Sequence, residues 1–223
     1  MRGLFVTATD TGVGKTEVSV ALVAGWRARG LDVGGMKPAQ SGGGSEAESD
    51  AGRIHAASGG GDPPELVCPY SFAAPLAPAV AARLEGRSVS FDHVLGCARE
   101  LSRRHAAVLV EGSGGLLVPL TETRTYLDLA WALGMPVLVV ARAGLGTVNH
   151  TALTCETLRV RGLEVRGVVL NRPTADADPS EPYNAGEIER LTGVRVLASL
   201  PHLADPGERA RRFAELLPRQ VAL

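Results

Sequence analysis

The sequence predicts a doubly wound α/β fold, a mostly parallel sheet flanked by helices, as a single domain over residues 1–223. Three observations carry that expectation. Short, β-branched apolar runs recur along the chain, each followed by a loop and a helical stretch. Strands that are apolar on both faces belong in a parallel sheet covered on each side. The length of 223 residues suits one such domain, since these folds often run to roughly 200–250 residues without splitting.

Taken in order, LFVTAT (4–9) predicts the first strand, and TEVSVALVAGWRARG predicts a helix that ends at Gly30. LDVGGMKP (31–38) is the second strand, expected beside the first in an ordinary strand order, with Lys37 and Ser41 at its end. The stretch from 39 to 105 holds no clear strand; helices are expected near Asp50–Ala57 and Val89–His105. Its glycine clusters, SGGGS (41–45) and SGGGD (58–62), read as surface loops rather than chemistry. AAVLVEG (106–112), MPVLVVARA (135–143), VRGVVLN (165–171) and VRVLASLP (194–201) supply the remaining strands. No repeat, long charge run or linker divides the chain.

The formal charge of −1 gives no reason to expect a nucleic-acid or anionic-membrane partner. Any anionic ligand must then be held by a local site rather than by the overall field. Cys68, Cys97 and Cys155 are scattered, with no C-x-x-C pair, as expected for reduced thiols in the cytoplasm. Arg2 leads at once into the strand-like GLFVTAT, so no secretory leader is expected. No apolar run approaches the ~20 residues of a membrane span.

ATDTGVGKT (8–16) ends like the phosphate-binding pattern G-x-x-x-x-G-K-[ST], yet Thr9 stands where its first glycine belongs. The context favours a nucleotide site: a strand precedes, a helix follows, and such sheets bind ligands at the carboxyl ends of their strands. Gly12 and Gly14 permit close backbone approach, and loop amides at a helix N-terminus suit phosphate oxygens. Lys15 would reach the β/γ phosphates and the Thr16 hydroxyl would meet Mg²⁺.

Glu111 ends a hydrophobic strand beside Gly112, Ser113, Gly114 and Gly115. A carboxylate there costs solvation unless it meets a cation, which favours a metal role. Asp50, in ESD, either caps the following helix or joins the metal, and both readings stay open. Lys37 is either a solvated strand-end lysine or a second cation beside the phosphates. GLGTVNHT opens another helix, whose Gly146, Thr147 and Val148 amides suit an anion such as a carboxylate. Asn149 and His150 read as capping or packing groups. Neither a Ser-His-Asp arrangement nor a G-x-S-x-G elbow is present.

Together these pieces resemble the dethiobiotin synthetase family, whose loop G-T-D-T-x-V-G-K-T places five residues between its two glycines. Ala8 stands at the first of them. Further matches follow in order: KPAQSG (37–42), the Asp of ESDA at Asp50, PYSFAAPLAP (69–78), EGSGGLLVPL (111–120), LGTVNH (145–150), VLN (169–171) and LPHL (200–203). The resemblance implies a P-loop NTPase-like fold with ATP and Mg²⁺ as cofactors. It implies 7,8-diaminopelargonic acid and CO₂ as substrates, and a homodimer with a shared active site.

Carried over by position, Gly12, Val13, Gly14, Lys15, Thr16 and Glu17 would cradle the ATP phosphates, with Gly112, Ser113 and Gly114 alongside. Thr16, Asp50 and Glu111 would hold Mg²⁺. Lys37 matches the catalytic lysine, assisted by Lys15 and Thr11; Thr11 and Ser41 lie at substrate-contacting positions. Asn171, Arg172, Pro201, His202 and Leu203 would line the adenine pocket. Gly146, Thr147, Val148 and Asn149 would receive the substrate carboxylate across the dimer interface, and Tyr183 would likewise serve the partner's site.

Two departures stand out. Gly12 occupies a position that is often Glu in this family, and Ala8 is expected to lie in the strand, with no need for positive φ. Two rival classes fit less well. Amidating relatives generally need a glutaminase module, for which 223 residues leave no room. Partition and septum-placement ATPases carry an early lysine in the loop, and Thr9–Val13 has none.

Overall fold

The six expected strands form one wholly parallel sheet in the computed structural model, which describes residues 1–43, 45, 47–221 and 223. Gly44, in the first glycine cluster, lies outside the described residues. The chain runs β1 (Gly3–Ala8), α1 (Lys15–Arg27), β2 (Val33–Met36), β3 (Ala39–Ser41), α2 (Asp50–Ala57), α3 (Pro64–Val67), β4 (Tyr70–Phe72), α4 (Pro78–Leu84) and α5 (Phe91–Arg104). It continues through β5 (Ala107–Gly115), α6 (Tyr126–Leu133), β6 (Val137–Arg142), α7 (Thr147–Val160), β7 (Val165–Asn171), α8 (Glu181–Thr192), β8 (Val196–Leu200) and α9 (Pro206–Gln220).

Alternation along each strand builds two apolar layers. Leu4, Val6 and Ala8 of β1 meet α1 and α9 on one face, with Trp26 and Phe213 filling the gap. Phe5 points the other way, into the larger layer under α5, α6, α7 and α8. Burial of both faces explains why these strands read as continuous apolar runs. Among the described residues, no helix is long and apolar enough to cross a membrane, and all three cysteines are free thiols.

Strand order corrects one expectation. The sheet runs β2-β5-β1-β6-β7-β8, so β2 is not beside β1; β5 separates them. A second correction concerns the stretch from 39 to 105. It contains β3 and β4, three residues each, paired in parallel as a small separate sheet. Ser41 therefore ends β3 rather than β2. Strands this short lack the periodicity that a sequence reading needs. The helices expected there are present as α2 and α5, capped by the Ser49 and Ser90 side chains. Gly42, Gly43 and Gly59–Gly61 lie exposed.

At the amino-terminal edge of the sheet, His105 sits between two carboxylates, 2.7 Å from Asp32 by Nδ1 and 2.7 Å from Asp62 by Nε2. Its ring rests against Gly34, where an added Cβ would lie 2.5 Å from Cδ2. Burial disfavours the imidazolium, but the two carboxylates outweigh it and raise the pKa above the ordinary histidine value. A raised folded-state pKa means that the stabilisation is fully present below about pH 6.5 and is lost as pH rises through the folded value. Thermal unfolding from pH 6 upward should show wild type losing stability relative to His105→Gln. Parallel curves for the two proteins would remove His105 from this role.

Candidate functional site

The loop between β1 and α1 is built on glycine conformations. Gly12 and Gly14 have φ of +71° and +87°, a region that L side chains avoid. Gly14 forms the N-cap of α1. An added Cβ there would come within 2.1 Å of the Asn171 amide nitrogen, which in turn donates to the Val13 carbonyl at 2.9 Å. At Gly12 the same atom would meet nothing within 4 Å. Gly14→Ala should therefore cripple nucleotide binding, while Gly12→Ala should cost only about 1 kcal/mol of backbone strain. Titration with a fluorescent ATP analogue separates the two, and equal losses would contradict this account. Ala8 closes β1, and positive φ is confined to glycines among the described residues.

Four expected residues converge behind this loop. Lys37 follows the end of β2 and is 3% exposed; Glu111, within β5, is fully buried. The Lys37 ammonium lies 2.5 Å from Glu111 Oε1 and 2.9 Å from Asp50 Oδ2, and it also donates to the Gly112 carbonyl at 3.3 Å. Thr16 Oγ1 donates to the same Glu111 oxygen at 2.9 Å. The intervening position of β5 is what makes this possible, since Glu111 lies between the end of β2 and the start of α1. Burial opposes the charge of Lys37, yet Glu111 and Asp50 overcome it and hold its pKa above the ordinary lysine value. Asp50 is half-exposed; burial works against its charge, but Lys37 holds its pKa below the usual carboxylate value.

Asp50 does not cap α2. Ser49 does so, accepting from the Gly52 amide, and Asp50 occupies the first helical position with its carboxylate on Lys37. Lys15 has another environment. It is 7% exposed, and among the described residues no carboxylate lies within ion-pair distance. Burial, partly offset by Glu111 and reinforced by Lys37, lowers its pKa. An ammonium so placed favours an incoming anion.

The EGSGG run is a distortion of β5. Val6 pairs with Glu111 and Ala8 with Gly115, so residues 112–114 bulge away from β1. Gly114 accommodates this with φ +61°, and Ser113 donates to the Ala39 carbonyl at 2.8 Å. Nothing in the sequence signalled Arg142, which ends β6 and binds Asp10 of the loop at 2.8 Å. Asp10 in turn accepts from the Thr11 amide at 2.8 Å.

The remaining expected residues lie around this centre. Thr11 and Ser41 are exposed. Thr11 lines a cleft of about 520 Å³ with residues 114–119 and Leu153 of α7. Arg172, ion-paired with Glu181, lines a cleft of about 400 Å³ with Gly12 and Val13. His202 contacts the Pro173 carbonyl at 3.1 Å, and Pro201 and Leu203 flank it after β8. Gly146, with φ +89°, is the N-cap of α7, whose first residues are Thr147 and Val148. Asn149 and His150 are exposed on that first turn and do not cap it, contrary to the capping expectation. Tyr183 on α8 is 72% exposed.

For Mg²⁺, the residues fit. Thr16, Asp50 and Glu111 offer the hard oxygens it prefers. Among the described residues, buried Glu111 Oε2 has no hydrogen-bond partner, an orphaned acceptor that a cation would satisfy.

A parallel α/β sheet with a glycine-built loop and lysine at the start of α1 defines a P-loop nucleotide-binding protein. Solved structures agree at the level of fold. A ParA family ATPase from Chlorobium tepidum TLS matches with a TM-score of 0.58 at 14% identity, covering 98% of this chain and 93% of that one. The MinD cell division protein of Aquifex aeolicus matches at 0.58 and 11%, covering 97% and 89%. A family model described as an AAA domain matches residues 2–209. Whole-chain relatives are more specific. An ATP-dependent dethiobiotin synthetase of Anaeromyxobacter sp. (strain Fw109-5) is 65% identical over 99% of both chains. One from Bacillus licheniformis is 41% identical over 92% of this chain and 88% of its own. This chain belongs to the dethiobiotin synthetase family.

Proposed function

We propose that this protein is an ATP-dependent cyclo-ligase of biotin biosynthesis. It joins CO₂ to 7,8-diaminopelargonic acid and closes the ring, giving dethiobiotin, ADP and phosphate. The observation that carries the site assignment is the Lys37–Glu111–Thr16 contact, which ties the end of β2 to the phosphate loop through β5.

One amine of the substrate captures CO₂ as a carbamate. The γ-phosphoryl group passes to a carbamate oxygen, forming a carbamic–phosphoric anhydride, and the second amine then attacks its carbonyl carbon and expels phosphate. Such chemistry needs positioning and charge neutralisation rather than a covalent nucleophile. Lys15 and the Gly12–Thr16 amides bind the phosphates, with Lys37 placed to offset charge that develops on the transferred group. Thr16, Asp50 and Glu111 would hold Mg²⁺, which would supply charge neutralisation when bound. Thr11 and Ser41 face the diamine. Asn171, Arg172 and residues 201–203 surround the base.

We read the active assembly as a cytoplasmic homodimer. Leu117 and Leu153, 64% and 60% exposed, give the cleft that Thr11 lines an apolar surface, and Leu145 and Val160, both 77% exposed, stand just before α7 and at its last residue. A second copy covering it would bring the α7 N-terminus to the neighbouring substrate. Phosphate release with ATP, Mg²⁺, bicarbonate and the diamine, each omitted in turn, tests the reaction. Turnover that ignores the diamine would sink it.

A further inference from the structure

Glu17 is the third residue of α1. It sits between two arginines from different elements. Oε1 accepts from Arg53 Nη2 at 2.9 Å, and Oε2 is in ion-pair contact with Arg209 Nε at 3.3 Å, without a hydrogen bond. All three side chains are largely sheltered, at 23%, 35% and 23% exposure for Glu17, Arg53 and Arg209. Arg53 lies in α2, three residues beyond Asp50, on the helix that presents that carboxylate to Lys37. Arg209 lies in α9, and its Nη1 donates to the Leu203 carbonyl at 3.1 Å, in the segment assigned to the base.

We infer that Glu17 is a positioning residue with two separable arms. Through Arg53 it holds the helix that carries the metal-side carboxylate; through Arg209 it holds the 201–203 segment against the base. One carboxylate at the root of the phosphate loop thereby sets the spacing of both ends of the nucleotide site. Each carboxylate oxygen faces one guanidinium, Arg53 through a charge-assisted hydrogen bond and Arg209 through charge alone, so a shift of either arm weakens its contact. The inference rests on the nucleotide reading above.

The test uses the full chain with Arg53→Ala, Arg209→Ala and Glu17→Gln. A fluorescent ATP analogue is titrated with Mg²⁺ and with EDTA, and the unfolding temperature is recorded. Arg53→Ala should weaken binding about 3- to 10-fold with Mg²⁺ and little in EDTA. Arg209→Ala should weaken it by a similar factor in both. Glu17→Gln should combine the two losses, and Arg53→Lys should restore much of the Mg²⁺-dependent part. If all variants lose affinity equally with and without Mg²⁺, in step with their unfolding temperatures, the residues are structural and the inference fails. Unchanged affinities in every variant overturn it as well. Wild type that binds no ATP analogue at all would count against the nucleotide reading itself.

Discussion

Replacing Lys37 by alanine is expected to stop product formation and to destabilise the ligand-free protein at the same time. The two losses share one cause. The ammonium is the counter-charge to Glu111, which is fully buried and, among the described residues, keeps only the Thr16 hydroxyl as a donor once Lys37 is gone. Removing one partner of a buried ion pair typically costs about 3–5 kcal/mol, because the other is left uncompensated. For a chain of this size that corresponds to a fall of roughly 10 °C in unfolding temperature. The Asp50 side of the contact adds less, since half-exposed carboxylates are well screened. Excess Mg²⁺ should recover part of the lost stability, and scanning calorimetry with and without the ion reads this out. Wild-type turnover would remove Lys37 from the chemistry. An unchanged unfolding temperature would show that the buried pair contributes nothing net.

Lys15→Ala should behave oppositely in stability and alike in activity. Lys15 is nearly as buried as Lys37, but among the described residues no carboxylate pairs with it, and burial lowers its pKa. A sheltered cation without a partner costs desolvation without a compensating bond. Deleting it should leave the apoprotein as stable as wild type or slightly more so. Turnover should nevertheless fall by about 10²–10³-fold, the usual loss when a preorganised charge stabiliser is removed from phosphoryl or acyl transfer. The informative measurement is the pair of variants together: both strongly impaired in turnover, with the Lys37→Ala apoprotein well below wild type in stability and the Lys15→Ala apoprotein at or slightly above it. Two lysines that lost stability equally would mean that their environments are not as different as the contacts indicate.

How far the sequence carried this reading depended on the length of each signal. Strands of six or seven residues between helices were legible because both faces are apolar, and β7 matches its expected span, Val165–Asn171. The phosphate loop and the acidic end of β5 were legible because glycine and charge are conspicuous beside apolar runs. Strand adjacency was not legible. Nothing local in LDVGGMKP tells that β5 rather than β1 will be its neighbour, since that choice is made by long-range packing. ESD by itself also leaves Asp50 open between capping the next helix and joining a metal; in the structure Ser49 takes the helix end and Asp50 lies on Lys37. Pairings such as Glu17 with Arg53 and Arg209, or Asp10 with Arg142, span too many residues for any motif to reveal.

The place of β5 between β1 and β2 has a consequence for how the chain reaches this state. The phosphate loop, Lys37 and Asp50 all precede residue 51, yet β1 and β2 do not touch each other in the sheet. Both wait for a strand that begins at Ala107, so closing the sheet's centre requires a long excursion of chain to be ordered first. Contacts of such sequence separation slow folding. On the ribosome, β1 and β2 would therefore emerge without partners, and these two strands would depend on the arrival of β5 to join one sheet.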